Sequence, residues 1–424
     1  MATMKNIIED PGTSTIIGHH NRVAVTSKGE RSFLKVSPNN PNLLATQTAL
    51  FKHNFNDDDE SIINRVYFRY QFDNDAVQFI TIPLSALWSV CHSIIIKNGE
   101  ETMLSITDKM TKIYYHRNYL MYKDERNFLA NRAGANHFTA PSLTSTTTVL
   151  TGSTPTAYFI SDLDEIFNDF FRGLSTKFLK NFSVEYTMMG SISQALDSFY
   201  VGLQDPSVVN LAYLTIKNIS LNFDMTKYPK SSLLYKNNVI SVPFYRLHRK
   251  QYSVASQAET ELELVLNTEF TLSKSINAFY FYLSKTTPSI SNNYTIFENS
   301  NIIKRFELLY GRDSKILLES PEEIAAYTSH YLKQKGIERN ETHQSNVNTD
   351  FTLALMIPLA SDLRPVSDST EHFTGINNYN TQYNIKLTIN TAGHDAAFDI
   401  LNIVCEAGSV ITLSKQKGVE QIFY

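Results

Sequence analysis

From Ile62 onward the chain alternates. Val66, Phe68, Tyr70 and Phe72 place an apolar side chain on every second residue, with Arg69 and Gln71 between them. That is the period of a half-buried strand. Asp73-Asn74-Asp75 is a turn cluster and residues 76–82 run as a returning strand, so the stretch reads as a hairpin. Residues 83–92 open with a proline and suit a short helix. Residues 94–97 are a strand closed by an Asn98-Gly99 turn. Residues 105–130 carry Met110, Ile113, Tyr114, Leu120, Met121 and Phe128 at helical spacing, which predicts a helix. Residues 139–156 are rich in Thr, Ser, Pro and Gly and read as a surface loop. Residues 158–160 form a short strand, after which Asp162 is placed to cap a helical stretch, 163–171, with Ile166, Phe167, Phe170 and Phe171 on one face. Phe182, Val184 and Tyr186 alternate again, 190–210 is a loop, and 214–223 is a long strand with room for a bulge at Asn218.

The pattern restarts after Tyr228-Pro229-Lys230. Leu262, Leu264 and Leu266 alternate with charged neighbours, 276–283 is a dense aromatic strand, and 302–310 is a strand ending at Gly311. Ser320 and Glu323 form a candidate capping box for a helix over 321–334. Residues 351–359, 383–389, 398–405 and 410–413 are further strands. Each half therefore holds seven or eight strand candidates without a regular alternation of strand and helix. The fold class is all-β with a few helices, as two antiparallel sandwiches, not a parallel sheet with a nucleotide crevice.

Composition sharpens this picture. A chain of 424 residues suits two domains. The 23 Tyr and 26 Phe against a single Trp favour strands and interfaces. A net charge of −4 argues against a dedicated nucleic-acid binder. Cys91 and Cys405 lie far apart with no partner at metal spacing, which excludes a disulfide scaffold and disfavours structural zinc. No apolar run reaches the roughly 20 residues of a membrane-spanning helix. The first 18 residues lack the pattern of a secretory signal, so synthesis in the cytosol of some cell is expected. The sequons at Asn181, Asn218, Asn293 and Asn340 then read as incidental.

Candidate chemistry is sparse. The chain has no phosphate-binding Gly-x4-Gly-Lys-Ser/Thr loop, no His-Glu-x-x-His and no Gly-x-Ser-x-Gly. Asp57-Asp58-Asp59-Glu60 offers carboxylates for a hard cation but lacks the spacing of a calcium loop, and a solvated turn accounts for it. His19-His20 lies in a polar arm without further ligands. His394-Asp395 are neighbours in sequence, which on a strand point to opposite faces. Arg246, His248, Arg249 and Lys250, interleaved with Tyr245 and Tyr252, form a basic patch suited to nucleic acid, a lipid head group or a neighbouring subunit. The aromatic run Phe279 to Tyr282 suits either a carbohydrate platform or, since alternate side chains diverge, core plus interface. No residue is assigned as catalytic, cofactor-binding or metal-binding, and the chain is expected not to be an enzyme.

Three stretches resemble the major capsid proteins of the adenovirus, tectivirus and large DNA virus lineage. Tyr158-Phe159-Ile160, a Phe-rich helical stretch and residues 179–186 are similar to the strand, helix and strand that close the first roll of that family. Residues 211–223 resemble its last strand, and 225–229 the start of the linker between rolls. Residues 276–283, 302–311 and 351–359, with the polar loop to Asn378, resemble the core of its second roll. The helix read over 105–130 is longer than the family pattern, and the segments Lys180-Asn181-Phe182 and that following Arg364-Pro365 lack the Pro-Leu-Pro and Pro-Ser-Gly runs common in the large eukaryotic viruses.

The resemblance implies two tandem eight-stranded jelly rolls: an N-terminal arm over 1–30, a first roll over 31–228 and a second over 229–424. It implies a homotrimer forming a pseudo-hexagonal capsomer that tiles an icosahedral virion shell. The loops 139–156 and 360–382 would decorate the outer tower and the trimer seams. The arm would run along the inner surface, facing an internal membrane or minor capsid or penton proteins. No specific nucleic acid is expected as a partner. The competing classes are a carbohydrate-binding β-sandwich, such as a viral receptor-binding spike or lectin, and a glycoside hydrolase with two carboxylates in one cleft. Trp88, in an apolar stretch, weakens the carbohydrate reading.

Overall fold

The computed structural model describes residues 29–55, 61–74, 80–83, 86–107, 110, 147–150, 158–167, 170–190, 214–227, 238–255, 257–286, 303–324, 326–327, 355–360, 375–379, 381–392 and 398–423. Ten strands come first: β1 (Glu30–Val36), β2 (Thr48–His53), β3 (Ile62–Asn74), β4 (Ile80–Pro83), β5 (Cys91–Asn98), β6 (Glu101–Ile106), β7 (Thr147–Leu150), β8 (Phe159–Asp162), β9 (Phe182–Met188) and β10 (Leu214–Lys227). They form two four-stranded sheets, ordered β1-β10-β3-β8 and β2-β9-β5-β6, with β4 and β7 as a separate ribbon. The second ten are β11 (Val239–Ser253), β12 (Glu259–Val265), β13 (Ser275–Lys285), β14 (Ile303–Tyr310), β15 (Asp313–Leu318), β16 (Leu355–Pro358), β17 (Ile376–Asn377), β18 (Tyr383–Asn390), β19 (Phe398–Ser414) and β20 (Gly418–Phe423). Their sheets run β11-β19-β13-β16, with β17 and β20 attached, and β12-β18-β14-β15. The described pairings are all antiparallel.

Leaving β4, β7, β17 and β20 aside, both halves visit their two sheets in the same sequence, and the corresponding strands hold the same neighbours. The two halves are one architecture used twice. Within each, the sheets meet through large side chains. Phe68 on β3 lies 5.4 Å from Phe51 on β2 and 5.8 Å from Tyr186 on β9, centroid to centroid. Phe281 on β13 lies 6.3 Å from Phe306 on β14. Such edge-on and tilted contacts fill a sandwich without face-to-face repulsion.

Alternation places these residues. Val66, Phe68, Tyr70 and Phe72 are fully buried while Arg65, Tyr67, Arg69 and Gln71 turn outward. The register of β3 on β10 shifts at Asn64, and that of β10 shifts between Lys217 and Ser220. The second shift is the bulge anticipated at Asn218, which takes φ +55°, a conformation asparagine tolerates better than most residues.

Several expectations are corrected. The segment after β3 does not return on it as a hairpin: β3 pairs with β10 and β8, and β4 pairs with β7. The long run of β10 offers β3 more partners than a short return strand could. Strand β7 lies inside 139–156, so part of that composition-defined loop is paired. Ser105 and Ile106 end strand β6 instead of opening a helix, while 111–130 lie outside the described residues. Among the described residues of the 83–92 stretch, helix covers Ala86–Ser89. Asp162 ends strand β8 and binds Arg65, and among the described residues the helix after it spans Asp164–Phe167. Residues 398–405 and 410–413 belong to one continuous strand, β19, which crosses Gly408 because partners flank it on both sides. Half of the expected capping box is present: Ser320 Oγ accepts from Glu323 N at 3.2 Å, while Glu323 Oε2 accepts from Glu319 N, the residue before the cap, at 2.7 Å.

The halves touch. Phe170 meets Phe244 of β11 edge-on, with centroids 6.1 Å apart. The Asn98-Gly99 turn abuts the Lys417-Gly418 turn. A β-carbon on Gly99 (φ +73°) would lie 3.1 Å from Lys417 O, and one on Gly418 (φ +80°) would lie 3.0 Å from the Asn98 side chain. Asn98 is itself pinned, its Nδ2 donating to Phe178 O at 2.7 Å and its Oδ1 accepting from Lys180 N at 2.6 Å.

Candidate functional site

The outward face of the sheet β1-β10-β3-β8 carries the most distinctive surface chemistry among the described residues. Because β1 and β3 alternate, Arg31, Phe33 and Lys35 share that face with Arg65, Tyr67 and Arg69. Three arginines stack on aromatic rings. Arg31 lies 5.0 Å from the Phe33 centroid, Arg65 4.7 Å from Tyr67 and Arg69 3.4 Å from Tyr158. Buried carboxylates hold two of them: Arg31 binds Asp224 through two nitrogens, and Arg65 Nε donates to Asp162 at 2.5 Å. Asn64 Nδ2 donates to Asp224 at 3.4 Å. The Arg31 hydrogen bond holds the Asp224 carboxyl below the ordinary aspartate range, against the opposing effect of burial.

Phe33 is 66% exposed and Tyr158 37%. A solvated phenylalanine flanked by rigid guanidinium–aromatic stacks has the composition of a protein interface. The stacks limit the rotamer freedom that arginine would otherwise lose on docking. This face was not read from the sequence, because β1 has too weak an alternation to stand out.

No family description matches the chain, and no curated protein matches it by sequence. Solved structures do match in three dimensions. PBCV-1 VP54, fitted into a reconstruction of the virophage Sputnik, aligns with a TM-score of 0.60 at 11% identity, over 94% of this chain and 98% of its own. The Faustovirus major capsid protein gives 0.55 at 8% identity, over 93% and 92%. The mavirus major capsid protein gives 0.53 at 11% identity, over 94% and 92%. The chain is a double jelly roll. At such identities what is shared is the path of the backbone.

Within this double jelly roll the sequence candidates separate. Phe279, Tyr280, Phe281 and Tyr282 are all buried, so the aromatic run is core and not a carbohydrate platform. Tyr280 OH donates to the buried Glu406 Oε2 at 2.7 Å. Trp88 is fully buried and its indole donates to Glu165 Oε2 at 2.7 Å. Arg246, His248, Arg249 and Lys250 lie on strand β11, not in a linker, and line a cleft. Tyr252 OH donates to Glu269 at 2.9 Å. Cys91 and Cys405 are buried free thiols. His19-His20, Asp57 to Glu60 and His394-Asp395 lie outside the described residues.

Proposed function

We propose that the chain is a major capsid protein. Three copies form a pseudo-hexagonal capsomer, and capsomers tile an icosahedral shell in which the protein is a structural component and not an enzyme. The observation that carries this reading is the agreement of the double jelly roll with viral capsid proteins over more than nine-tenths of both chains. Physically, two sandwiches of one architecture per chain give a trimer six comparable blocks around its axis, which is what hexagonal tiling requires. On this reading the chain divides near residues 228–238 into a first roll (31–228) and a second (229–424), preceded by an arm over 1–30. Its partners are its own copies, neighbouring capsomers and minor capsid or penton proteins. Its place is the virion, after synthesis in the host cytoplasm. The carbohydrate-binding alternative wants an exposed indole, and the only tryptophan is buried in the first roll.

The outward face around Phe33 is the subunit contact in this proposal. The first test is mass in solution by light scattering. A species of three times the 48.2 kDa chain that survives dilution supports the capsomer. A monomer at all concentrations overturns it. Phe33→Asp is a surface change, so the folded circular-dichroism signal should persist while the trimer dissociates. A Phe33→Asp trimer as stable as wild type would place the contact elsewhere.

A further inference from the structure

The cleft beside β11 lies where the two rolls meet. It has a volume of about 510 Å³, within the range of small-molecule sites. One wall is β11, the outermost strand of its described sheet, from Arg246 to Gln251. The others are the end of β6 with Met110 from the first roll, and the turn from Glu269 to Ser273. The lining runs through consecutive residues of β11, so the cleft follows the margin of the strand.

Among the described lining residues, Arg246, Arg249 and Lys250 stand beside one carboxylate, that of Glu269, in a chain whose net charge is −4. Glu269 offsets part of that charge through its ion pair with Lys250. It accepts from Tyr252 OH at 2.9 Å, and its approach to Lys250 is 3.9 Å, beyond hydrogen-bond reach.

A second observation concerns unused polar atoms. His248 Nε2 is buried and has no hydrogen-bond partner. Ser273 is almost fully buried, and its hydroxyl has no nitrogen or oxygen partner, only the Cys405 thiol beside it. Both residues line the cleft. Buried polar groups are normally satisfied, and these two sit in a positively charged wall, where an oxygen-rich anion would supply acceptors to the imidazole N–H and the hydroxyl. Burial, with Arg246 nearby, holds His248 neutral at physiological pH, so it serves as a donor without adding charge.

We infer that this junctional cleft binds a phosphate-bearing small anion, with Arg249 and Lys250 supplying charge and His248 and Ser273 supplying hydrogen bonds. Tetrahedral oxyanions match arginine's fork and lysine's point charge. Because the walls come from both rolls, the ligand would bridge them. The inference does not depend on the capsid reading.

The test is calorimetric titration of sodium triphosphate into the full-length protein at low salt. Arg249→Glu/Lys250→Glu should weaken binding by at least about tenfold, since each lost charge-assisted contact is worth about a factor of ten. Arg312→Glu/Lys315→Glu makes the same charge change at exposed positions away from the cleft and should leave the affinity within about twofold. Equal losses in both variants would mean general attraction and overturn the site. A parallel arm uses vesicles of equal parts phosphatidylcholine and phosphatidic acid. Triphosphate binding that the cleft variant loses assigns a free phosphate compound. Vesicle binding alone, lost in the same variant, assigns a lipid phosphate to the same residues. Binding of neither overturns the inference.

Discussion

At the scale of single residues, the side chains that determine stability are those where alternation meets the sandwich interior. Phe281 is fully buried against Phe306 and Phe279, and Leu264 is buried on the facing sheet. Phe281→Asp or Leu264→Asp would bury an unpaired carboxylate at a cost of several kcal/mol. We expect neither variant to yield folded protein, and soluble trimer recovered from both would refute the assigned strand faces. His248 gives a second prediction. Its folded pKa is pushed down to about 4 from 6.5, first by burial and then by Arg246. Above about pH 6.5 the imidazole is neutral folded or unfolded and contributes nothing to the pH profile. As pH falls from there toward 4, the unfolded chain takes up a proton that the folded chain refuses, and stability drops by up to about 3 kcal/mol. Melting temperature followed between neutral pH and about 5 should fall less steeply in His248→Gln than in wild type. Parallel profiles would show that the imidazole titrates normally.

At the scale of elements, the bulge in β10 is the feature most open to test. Asn218 holds φ +55°, and its side chain donates to Gln71 Oε1 at 2.7 Å. A β-branched residue there meets its own backbone, so Asn218→Val should lower stability by about 1–2 kcal/mol, whereas Asn218→Gly should change little. Denaturant midpoints of the two variants check this, and equal midpoints would mean the bulge relaxes freely. This bulge was legible in the sequence because a polar residue interrupts an apolar run. So were β9, β14 and β18, where one face is more buried than the other, and β13, whose dense aromatic run is buried on both faces. The strands that escaped notice lack that contrast. In β1, Arg31, Phe33 and Lys35 all face outward and only Val36 is fully buried. In β11 the basic patch masked a strand whose first half is apolar on both faces. The hairpin expected after β3 failed for a different reason: periodicity assigns a strand but not its partner, and the partner here lies some 150 residues away in sequence. The candidate site suffered the same fate, since its arginines and rings come from β1, β3 and the approach to β8.

At the scale of the whole molecule, two sandwiches of equal strand order share one hydrophobic core cluster and meet at two turns. Gly99 and Gly418 each face the other half, where a β-carbon would fit only if its neighbour gave way by a few tenths of an ångström. The consequence is evolutionary. In a molecule made of two like halves, each half would ordinarily drift under its own selection. Here a substitution at either turn is judged by the fit of the opposite half, so at those positions the two halves can change only in step.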